Sequence, residues 1–337
     1  MTGPETAPAA ALPHLKSAAA GASPLLSSVL FSLFRGALLL VLVSAAVFTA
    51  TELLPGDAAD LMASPGADEE QTRHLREELG LDAEPWRRYL DWAGALLSGD
   101  MGTSLVNGRP VADSLAQRLP ATLALVVGAL LIAAPASLGL AWWAGTTRRG
   151  RRISTAVLTG GAAVPTAVTA AALAALFSGA FALVPPVSLL PPGDSPWHHP
   201  DLLFLPVVSM ALPTAFFGGG LLAGSLADIV RLPHVADARR RGVPSRRIAL
   251  VDVLPFLLAP FVRVLAVSAG GLIAAAAVVE TLFGYPGLGS LLVSAISTRD
   301  LPVVQATAVL AAAVVLLGLL LGDVVAVSTE PTRGRAS

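Results

Sequence analysis

The residues best able to bind a charged group in this sequence are six arginines in one short loop. They fall between positions 231 and 247, and long apolar runs flank the loop on both sides. A guanidinium group binds carboxylates and phosphates through a rigid fork of N–H donors. The pattern therefore favours recognition of a partner or of an anionic surface. The six residues are Arg231, Arg239, Arg240, Arg241, Arg246 and Arg247.

Residue types used in catalysis are not arranged as an active site. The chain has no cysteine, no G-x-x-x-x-G-K-[ST] sequence for ATP phosphates and no G-x-S-x-G sequence around a nucleophilic serine. His198 and His199 are the one adjacent histidine pair, and their setting is more typical of a solvated loop than of a metal site. We therefore expect no catalytic residue, no cofactor, no metal and no nucleic-acid partner.

The elements that must position the basic loop are predicted to be membrane-spanning helices. Of the 337 residues, 54% are hydrophobic and 13% are charged, and the mean hydropathy is +0.72. A soluble globule of this size needs more polar surface, and several apolar runs reach the roughly 20 residues that cross a bilayer. We expect an all-α integral membrane protein with six transmembrane helices, at about 28–53, 116–146, 154–183, 202–229, 256–281 and 303–327.

The distribution of arginine predicts the orientation of these spans. Clusters at 148–152, 231–247 and 333–335 all fall on one side, together with Lys16 and Arg35. The positive-inside rule makes that side cytoplasmic, so both termini lie in the cytoplasm of a multi-pass plasma (inner) membrane protein. The opposite side holds a large external insertion between the first two spans, residues 54–115, in which acidic residues outnumber basic ones.

Domain organisation follows from the same pattern. Residues 1–27 are rich in Ala and Pro and are predicted to be a disordered cytoplasmic tail, and residues 331–337 form a short cytoplasmic C-terminal tail. Residues 28–330 form the transmembrane domain. The insertion contains two predicted surface helices, around 68–81 and 85–97, which either stabilise the bundle or take part in gating.

The basic loop itself, residues 231–255, is predicted to contain a short helix. Pro233 suits a helical first turn and Gly242 suits a left-handed C-terminal cap, which gives a helix at about 234–241. Pro244 can begin a second helix that continues into the fifth span. Such a loop is either a lever that a soluble partner moves or a patch that fixes topology and contacts anionic lipid.

A second candidate region follows the fifth span. Residues 283–289 form a turn rich in Gly and Pro, and Leu288–Ile296 can re-enter as a short helix. Backbone of this kind at membrane depth lines a wet cavity or is covered by protein, so the turn is a gate or a tight connection. Glu280 precedes it and either belongs to the translocation path or reaches interfacial water. The gate candidates are Glu280, Phe283, Tyr285, Pro286, Gly287 and Gly289.

Several motifs resemble those of ABC-transporter permeases. Ala238, Gly242 and the Leu254–Pro255 pair match part of the EAA loop of that family. The sequences LLPGDAA after the first span, LREELGLDAEPWRRYLDWAGALLSGDMGTSLVNGRPVADSLAQRLPATLAL before the second, and VVETLFGYPGLGSLLVSAISTRDLPVVQA after the fifth are similar to the dipeptide, oligopeptide and nickel type, first permease subunit. This resemblance covers residues 28 to 330.

The resemblance implies a function and a set of partners. The chain would be the permease of a binding-protein-dependent importer of peptides or similar solutes, with nickel as the alternative solute. Its partners would be a second homologous permease, two ABC ATPase subunits, an extracytoplasmic solute-binding protein and membrane lipid. The loop would be a coupling helix that contacts an ATPase through His234, Val235, Ala236, Asp237, Ala238, Arg239, Arg240, Arg241, Gly242, Arg246 and Arg247.

This sequence also departs from the family pattern. Ala236 stands in place of the EAA glutamate, Asp252 replaces an isoleucine, and Pro233 replaces an acidic cap. In the fourth span, Gly220 and Ala223 occupy positions where relatives carry basic residues.

Two other classes of function remain as alternatives. A secondary transporter or channel would need no ATPase, but such proteins place paired ionisable residues deep in their spans, which are almost bare of them here. A membrane scaffold or lipid-binding protein would use the basic loop to bind anionic headgroups. Recovery of an ATPase and a second permease with the chain would favour an importer over both alternatives.

Overall fold

The computed structural model describes residues 22–53, 70, 73–74, 83–146, 151–191 and 194–329, and every regular element in those ranges is helical. The segment 68–81 falls almost entirely outside them. The helices are α1 (Ala22–Glu52), α2 (Pro85–Leu97), α3 (Val111–Thr146), α4 (Arg151–Ala163), α5 (Thr166–Leu173), α6 (Pro200–Ile229), α7 (Pro233–Arg240), α8 (Leu254–Phe283), α9 (Leu288–Thr298) and α10 (Leu301–Thr329).

Five of these helical stretches are long and apolar enough to cross a membrane by themselves. They lie at Val29–Glu52, Val111–Thr146, Pro200–Ile229, Ser245–Phe283 and Leu301–Val325. A sixth span is obtained when α4 is taken together with α5 and its π-helical continuation, Ala174–Ala180. The prediction of an all-α membrane protein is confirmed.

The third span differs from the single helix predicted at 154–183. Its two halves, Arg152–Ala163 and Thr166–Ala180, meet at an angle of 87°. Pro165 lies at the bend as the residue before α5. A proline has no N–H to donate and its ring clashes with the preceding turn, so it breaks the helix at this point.

The centre of the bundle is formed by α3, α6 and α8. Leu125, Leu205, Met210, Leu272 and Ala276 belong to one buried apolar cluster there. Helices approach closely where the side chain is small: a Cβ on Gly128 would lie 3.0 Å from Val207 Cγ2. Helices α3 and α6 are therefore a closely packed pair at the centre of the bundle.

Helix α1 lies against α10 at the edge of the bundle. Gln305 Nε2 donates to Thr51 Oγ1 at 2.7 Å, and Arg35 pairs with Asp323 at 2.8 Å. From residue 29 onward, most other side chains of α1, such as Phe31 and Phe34, are exposed. In a membrane protein such an apolar surface faces lipid or another subunit.

The described part of the insertion packs on the end of α1. Tyr89 and Trp92 of α2 contact Phe48 with ring centroids 5.6 Å away, and the hydroxyls of Tyr89 and Ser44 are 2.9 Å apart. Residues 98–110, which we call the insertion hairpin, then reverse the chain through a bridge between Thr103 and Pro110. The hairpin leads directly into α3.

Candidate functional site

The predicted short helix of the basic loop is present as α7. It begins at Pro233 and ends at Arg240, and Gly242 follows in the left-handed conformation with φ +73°. Backbone N–H groups of Gly242 and Val243 donate to the carbonyls of Arg239 and Ala238, which satisfies the last turn. The helix predicted at about 234–241 begins and ends one residue earlier, and the predicted left-handed Gly242 after it is confirmed.

One face of α7 is buried against the ends of the spans. Val235 is 0% exposed and Ala238 is 2% exposed, and both belong to an apolar cluster with Leu226, Ile248 and Val253. His234 adds a directional contact, since its Nε2 donates to the Asp252 carbonyl at 3.1 Å. These contacts set the rotation of α7 about its own axis, so that one face is buried and the other is exposed.

The opposite face of α7 carries exposed charge. Arg240 pairs with Asp237 at 3.5 Å, both side chains remain mostly exposed, and such a pair contributes little to stability. The described residues therefore present a basic surface beside a well-packed helix. Its exposed members are Asp237, Arg239, Arg240, Arg241, Gly242, Arg246 and Arg247, with Ala236 half-buried at its edge.

The second predicted helix of the loop is also present, with an irregularity. One α-helical turn, Ser245–Arg247, follows Pro244 and leads through a π-helical segment, Ile248–Val253, into α8. A π-helical segment has hydrogen bonds five residues apart in place of four, and such segments are frequent at functional sites. No residue pattern in the loop predicts this segment. Arg246 and Arg247 are thus continuous with the fifth span.

The second candidate region lies at the other end of the helical stretch Ser245–Phe283, about 55 Å from Ser245. Gly284 ends α8 in the left-handed conformation with φ +66°, and Tyr285 follows with its side chain fully buried. The Tyr285 hydroxyl donates to the Ala121 carbonyl of α3 at 3.2 Å, and burial raises the pKa of this phenol. The turn is therefore covered by protein.

Glu280 is fully buried in the described residues and does not reach interfacial water. Its carboxylate accepts hydrogen bonds from Thr122 Oγ1 at 2.6 Å and from the Ser290 backbone N–H at 2.9 Å. Thr122 Oγ1 in turn accepts from the Leu288 N–H at 2.8 Å. The residue before α9 is Gly287, which has no side chain, so Glu280 and Thr122 act as the cap of α9.

Two glycines of the turn are required by close approach. A Cβ on Gly287 would overlap the Glu280 carboxylate, and a Cβ on Gly289 would overlap the backbone of Ala277 in α8. Phe283 is buried in the central apolar cluster, and Pro286 is half-buried in the turn. The predicted helix after the turn is confirmed as α9, Leu288–Thr298.

Asp300 is a residue of this region that sequence reasoning missed. It is 5% exposed, and its carboxylate accepts from Ser104 Oγ and, at 3.1 Å, from the Leu105 N–H of the insertion hairpin. Thr122 was also missed. Its partners Glu280 and Leu288 are 158 and 166 positions away in sequence. No local pattern reports contacts of that separation.

The histidine pair has a carboxylate partner in the structure. His198 Nδ1 and His199 Nε2 lie 2.9 and 2.8 Å from the two oxygens of Asp194. The hydrogen bonds from the two histidines lower the pKa of Asp194 well below the ordinary range of a carboxyl group. Within the described ranges, no group of three or more His, Cys, Asp or Glu residues is placed to hold a metal ion.

The structure does not bring the two predicted groups of site residues together. The helical stretch Ser245–Phe283 begins beside α7, where it carries Arg246 and Arg247, and ends at the α8–α9 turn. A single continuous span therefore connects the exposed basic surface with the buried turn.

Comparison with known proteins finds one type of protein that matches nearly the whole length of this chain. A family model described as binding-protein-dependent transport system inner membrane component matches residues 133–333, and a model for the N-terminal part of such components matches residues 26–126. The glutathione transport system permease protein GsiC of Escherichia coli (strain K12) is 31% identical over 296 residues, 87% of this chain and 94% of that protein. The protein of the same name from Shigella boydii serotype 4 (strain Sb227) is 30% identical over the same length.

These matches agree with the helical bundle and its multiple spans. The family consists of membrane permeases of the inner membrane, so the chain is a transport subunit and not a catalytic enzyme. The chain belongs to the inner-membrane components of binding-protein-dependent transport systems, and it is a permease subunit of an ABC importer.

Proposed function

We propose that this subunit pairs with a second homologous permease, contacts two ABC ATPase subunits through α7 and receives solute from an extracytoplasmic binding protein. Residues 28–330 form its transmembrane domain, and both termini, the tails 1–27 and 331–337 included, lie in the cytoplasm. The observation that supports this most is α7, whose buried Val235 and Ala238 fix it on the bundle while its arginines stay exposed.

The exposed face of α7 suits a protein partner of acidic character. Arginine is enriched at protein interfaces because its planar fork binds carboxylates in fixed geometry. Arg246 and Arg247 extend the same basic surface onto the turn that leads into α8. Because Val235 packs on Ile248 and Val253 and His234 bonds the Asp252 carbonyl, movement of α7 by an ATPase would reach the start of the fifth span.

The solute we propose is a peptide or a molecule of similar size. Relatives that cover most of this chain are named for glutathione transport, and glutathione is a small peptide. The turn around Tyr285, Pro286, Gly287 and Gly289 is proposed as part of the gate, with Phe283 and Glu280 supporting it from α8. Specificity would reside mainly in the binding protein.

Co-purification tests the assembly. The chain is extracted with mild detergent from cells that express the whole transport system, and we expect the second permease and both ATPase subunits to be recovered with it. Recovery of the chain alone would contradict the proposal and favour a secondary transporter or a lipid-binding scaffold.

A substitution in the cap of α7 tests coupling. In Gly242→Val, a β-branched residue is forced into a left-handed conformation at a cost of about 1–2 kcal/mol, while no neighbouring atom lies within 4 Å. We expect normal membrane insertion but ATP hydrolysis that no longer drives uptake, measured in proteoliposomes. Gly224→Ala is the matched control, because that helical glycine also has open space around it. Normal uptake by Gly242→Val would contradict the coupling role.

A further inference from the structure

Two buried carboxylates lie at the two ends of α9. Glu280 accepts from the first turn of α9, directly at Ser290 and through Thr122 at Leu288. Asp300 follows the last turn, where its own N–H donates to the Ala295 carbonyl at 2.9 Å. The two side chains are 0% and 5% exposed, so both are held away from water.

The two carboxylates connect α9 to different parts of the molecule. Glu280 belongs to α8 and lies one turn before the α8–α9 turn. The Asp300 carboxylate binds Ser104 Oγ and the Leu105 N–H, both in the insertion hairpin. Asp300 also accepts at its carbonyl from the Val304 N–H in the first turn of α10. Helix α9 is therefore bonded to the fifth span at one end and to the hairpin at the other.

An apolar cluster fills the space between these bonds. Val111 and Leu115 at the start of α3 pack with Leu288 and Ala295 of α9 and with Val303 of α10. Apolar contacts resist separation, but they are non-directional and allow sliding. Buried hydrogen bonds to a carboxylate are directional, and leaving them unmade is costly. The cluster and the two carboxylates together connect the hairpin, α9 and the adjoining end of α8.

We propose that Glu280 and Asp300 are positioning residues for transport, which join the insertion hairpin through α9 to the α8–α9 turn. A displacement of the hairpin then moves the turn, and a movement of α8 then moves the hairpin. The role of this connection in transport rests on the proposed function, because the binding protein would be the partner that displaces the insertion. The hairpin is thus the part of the insertion through which docking affects the gate.

A distance measurement tests whether this connection is rigid in the assembled transporter. The chain has no cysteine, so spin labels can be placed uniquely at Val106→Cys in the hairpin and Leu282→Cys in α8, two exposed positions. With wild-type carboxylates we expect one narrow distance distribution that is the same before and after ATP trapping. In Thr122→Val or Ser104→Ala the distribution should broaden, whereas Thr122→Ser, which keeps the hydroxyl, should restore it. Equal distributions in all variants would overturn the proposal.

A functional readout separates positioning from simple loss of folding. We expect Thr122→Val and Ser104→Ala to keep the basal ATP hydrolysis of the complex while its stimulation by the binding protein falls by about fivefold, the factor that corresponds to one buried hydrogen bond. Unchanged stimulation in both variants would overturn the proposal. If the wild-type complex itself shows no stimulation, the proposed function fails, and the spin-label distances still decide whether the connection is rigid.

Discussion

The α7 surface and the α8–α9 turn use charge in opposite ways. On α7, arginines and Asp237 are exposed, while apolar contacts of Val235 and Ala238 and one hydrogen bond from His234 hold the helix. At the turn, Glu280 is buried and its hydrogen bonds hold the structure together. Exposed charges are free to bind a partner, whereas a buried carboxylate contributes geometry. The difference predicts that the same type of substitution has very different effects on stability at the α7 surface and at the α8–α9 turn.

The largest effect should come from a side chain placed where two backbones touch. Gly289→Val would force α9 away from Ala277, at a cost of about 3 kcal/mol or more. We expect little folded subunit and a strongly lowered midpoint of thermal unfolding in detergent. Gly271→Val is the matched control, since no atom lies within 4 Å of its added Cβ, and it should stay near wild type. Equal midpoints for the two variants would mean that α9 does not pack on α8 as described.

The next effect compares the two acids directly. Glu280→Ala leaves the Thr122 hydroxyl and the Ser290 N–H without their buried acceptor, at about 1–3 kcal/mol for each unpaired group. Asp237→Ala removes an exposed partner of Arg240 and should change stability by less than about 0.5 kcal/mol. Equilibrium unfolding in mixed micelles measures both. A loss for Asp237→Ala as large as that for Glu280→Ala would contradict the distinction between buried and exposed charge.

A smaller effect is expected from the hydroxyl of the turn. Tyr285→Phe removes one buried hydrogen bond to the Ala121 carbonyl and should cost about 1 kcal/mol. The chain has one other tyrosine, Tyr89, whose hydroxyl partner Ser44 also bonds the Val41 carbonyl. Tyr89→Phe leaves Ser44 with that second partner, so it should lower the free energy of unfolding by less in the same assay. A larger loss for Tyr89→Phe than for Tyr285→Phe would mean that the hydrogen bond of the turn is weaker than the one between α1 and α2.

The smallest effect concerns an exposed charge cluster outside both regions. Because the pKa of Asp194 is lowered by hydrogen bonds from His198 and His199, its contribution to stability is present above the ordinary carboxyl pKa and is lost as the pH falls below about 4. The difference in unfolding midpoint between wild type and Asp194→Asn should shrink as the pH falls from about 4 to about 2. An equal difference at about pH 4 and about pH 2 would contradict the lowered pKa.

Much of the fold could be predicted because its signals are local. Apolar length placed the spans, and Pro233 and Gly242 placed the ends of α7 within one residue of those observed. The break at Pro165 was not predicted, since proline is often tolerated inside a span and only the packing of α4 and α5 decides whether it bends or divides the helix. The π-helical segment Ile248–Val253 has no sequence signature either.

The candidate site residues also divide into those that local sequence predicts and those that depend on distant contacts. Exposed arginines could be recognised from composition, because a run of charges between two apolar spans stays in water at the membrane surface. The partners of Glu280 could not, because Thr122 lies 158 positions away and belongs to another span. From the sequence, Glu280 could belong to the translocation path or reach interfacial water; the structure buries it as the cap of α9.

By itself, the sequence determined that this chain crosses a membrane several times as helices, carries an exposed basic helix between two spans and resembles ABC importer permeases. These properties depend on hydrophobicity, charge and turn chemistry, which act over a few residues. Only the tertiary structure decided that Glu280 and Asp300 bind the two ends of α9 and that Gly289 touches Ala277. Those contacts join residues distant in sequence, and the packing of whole helices alone brings them together.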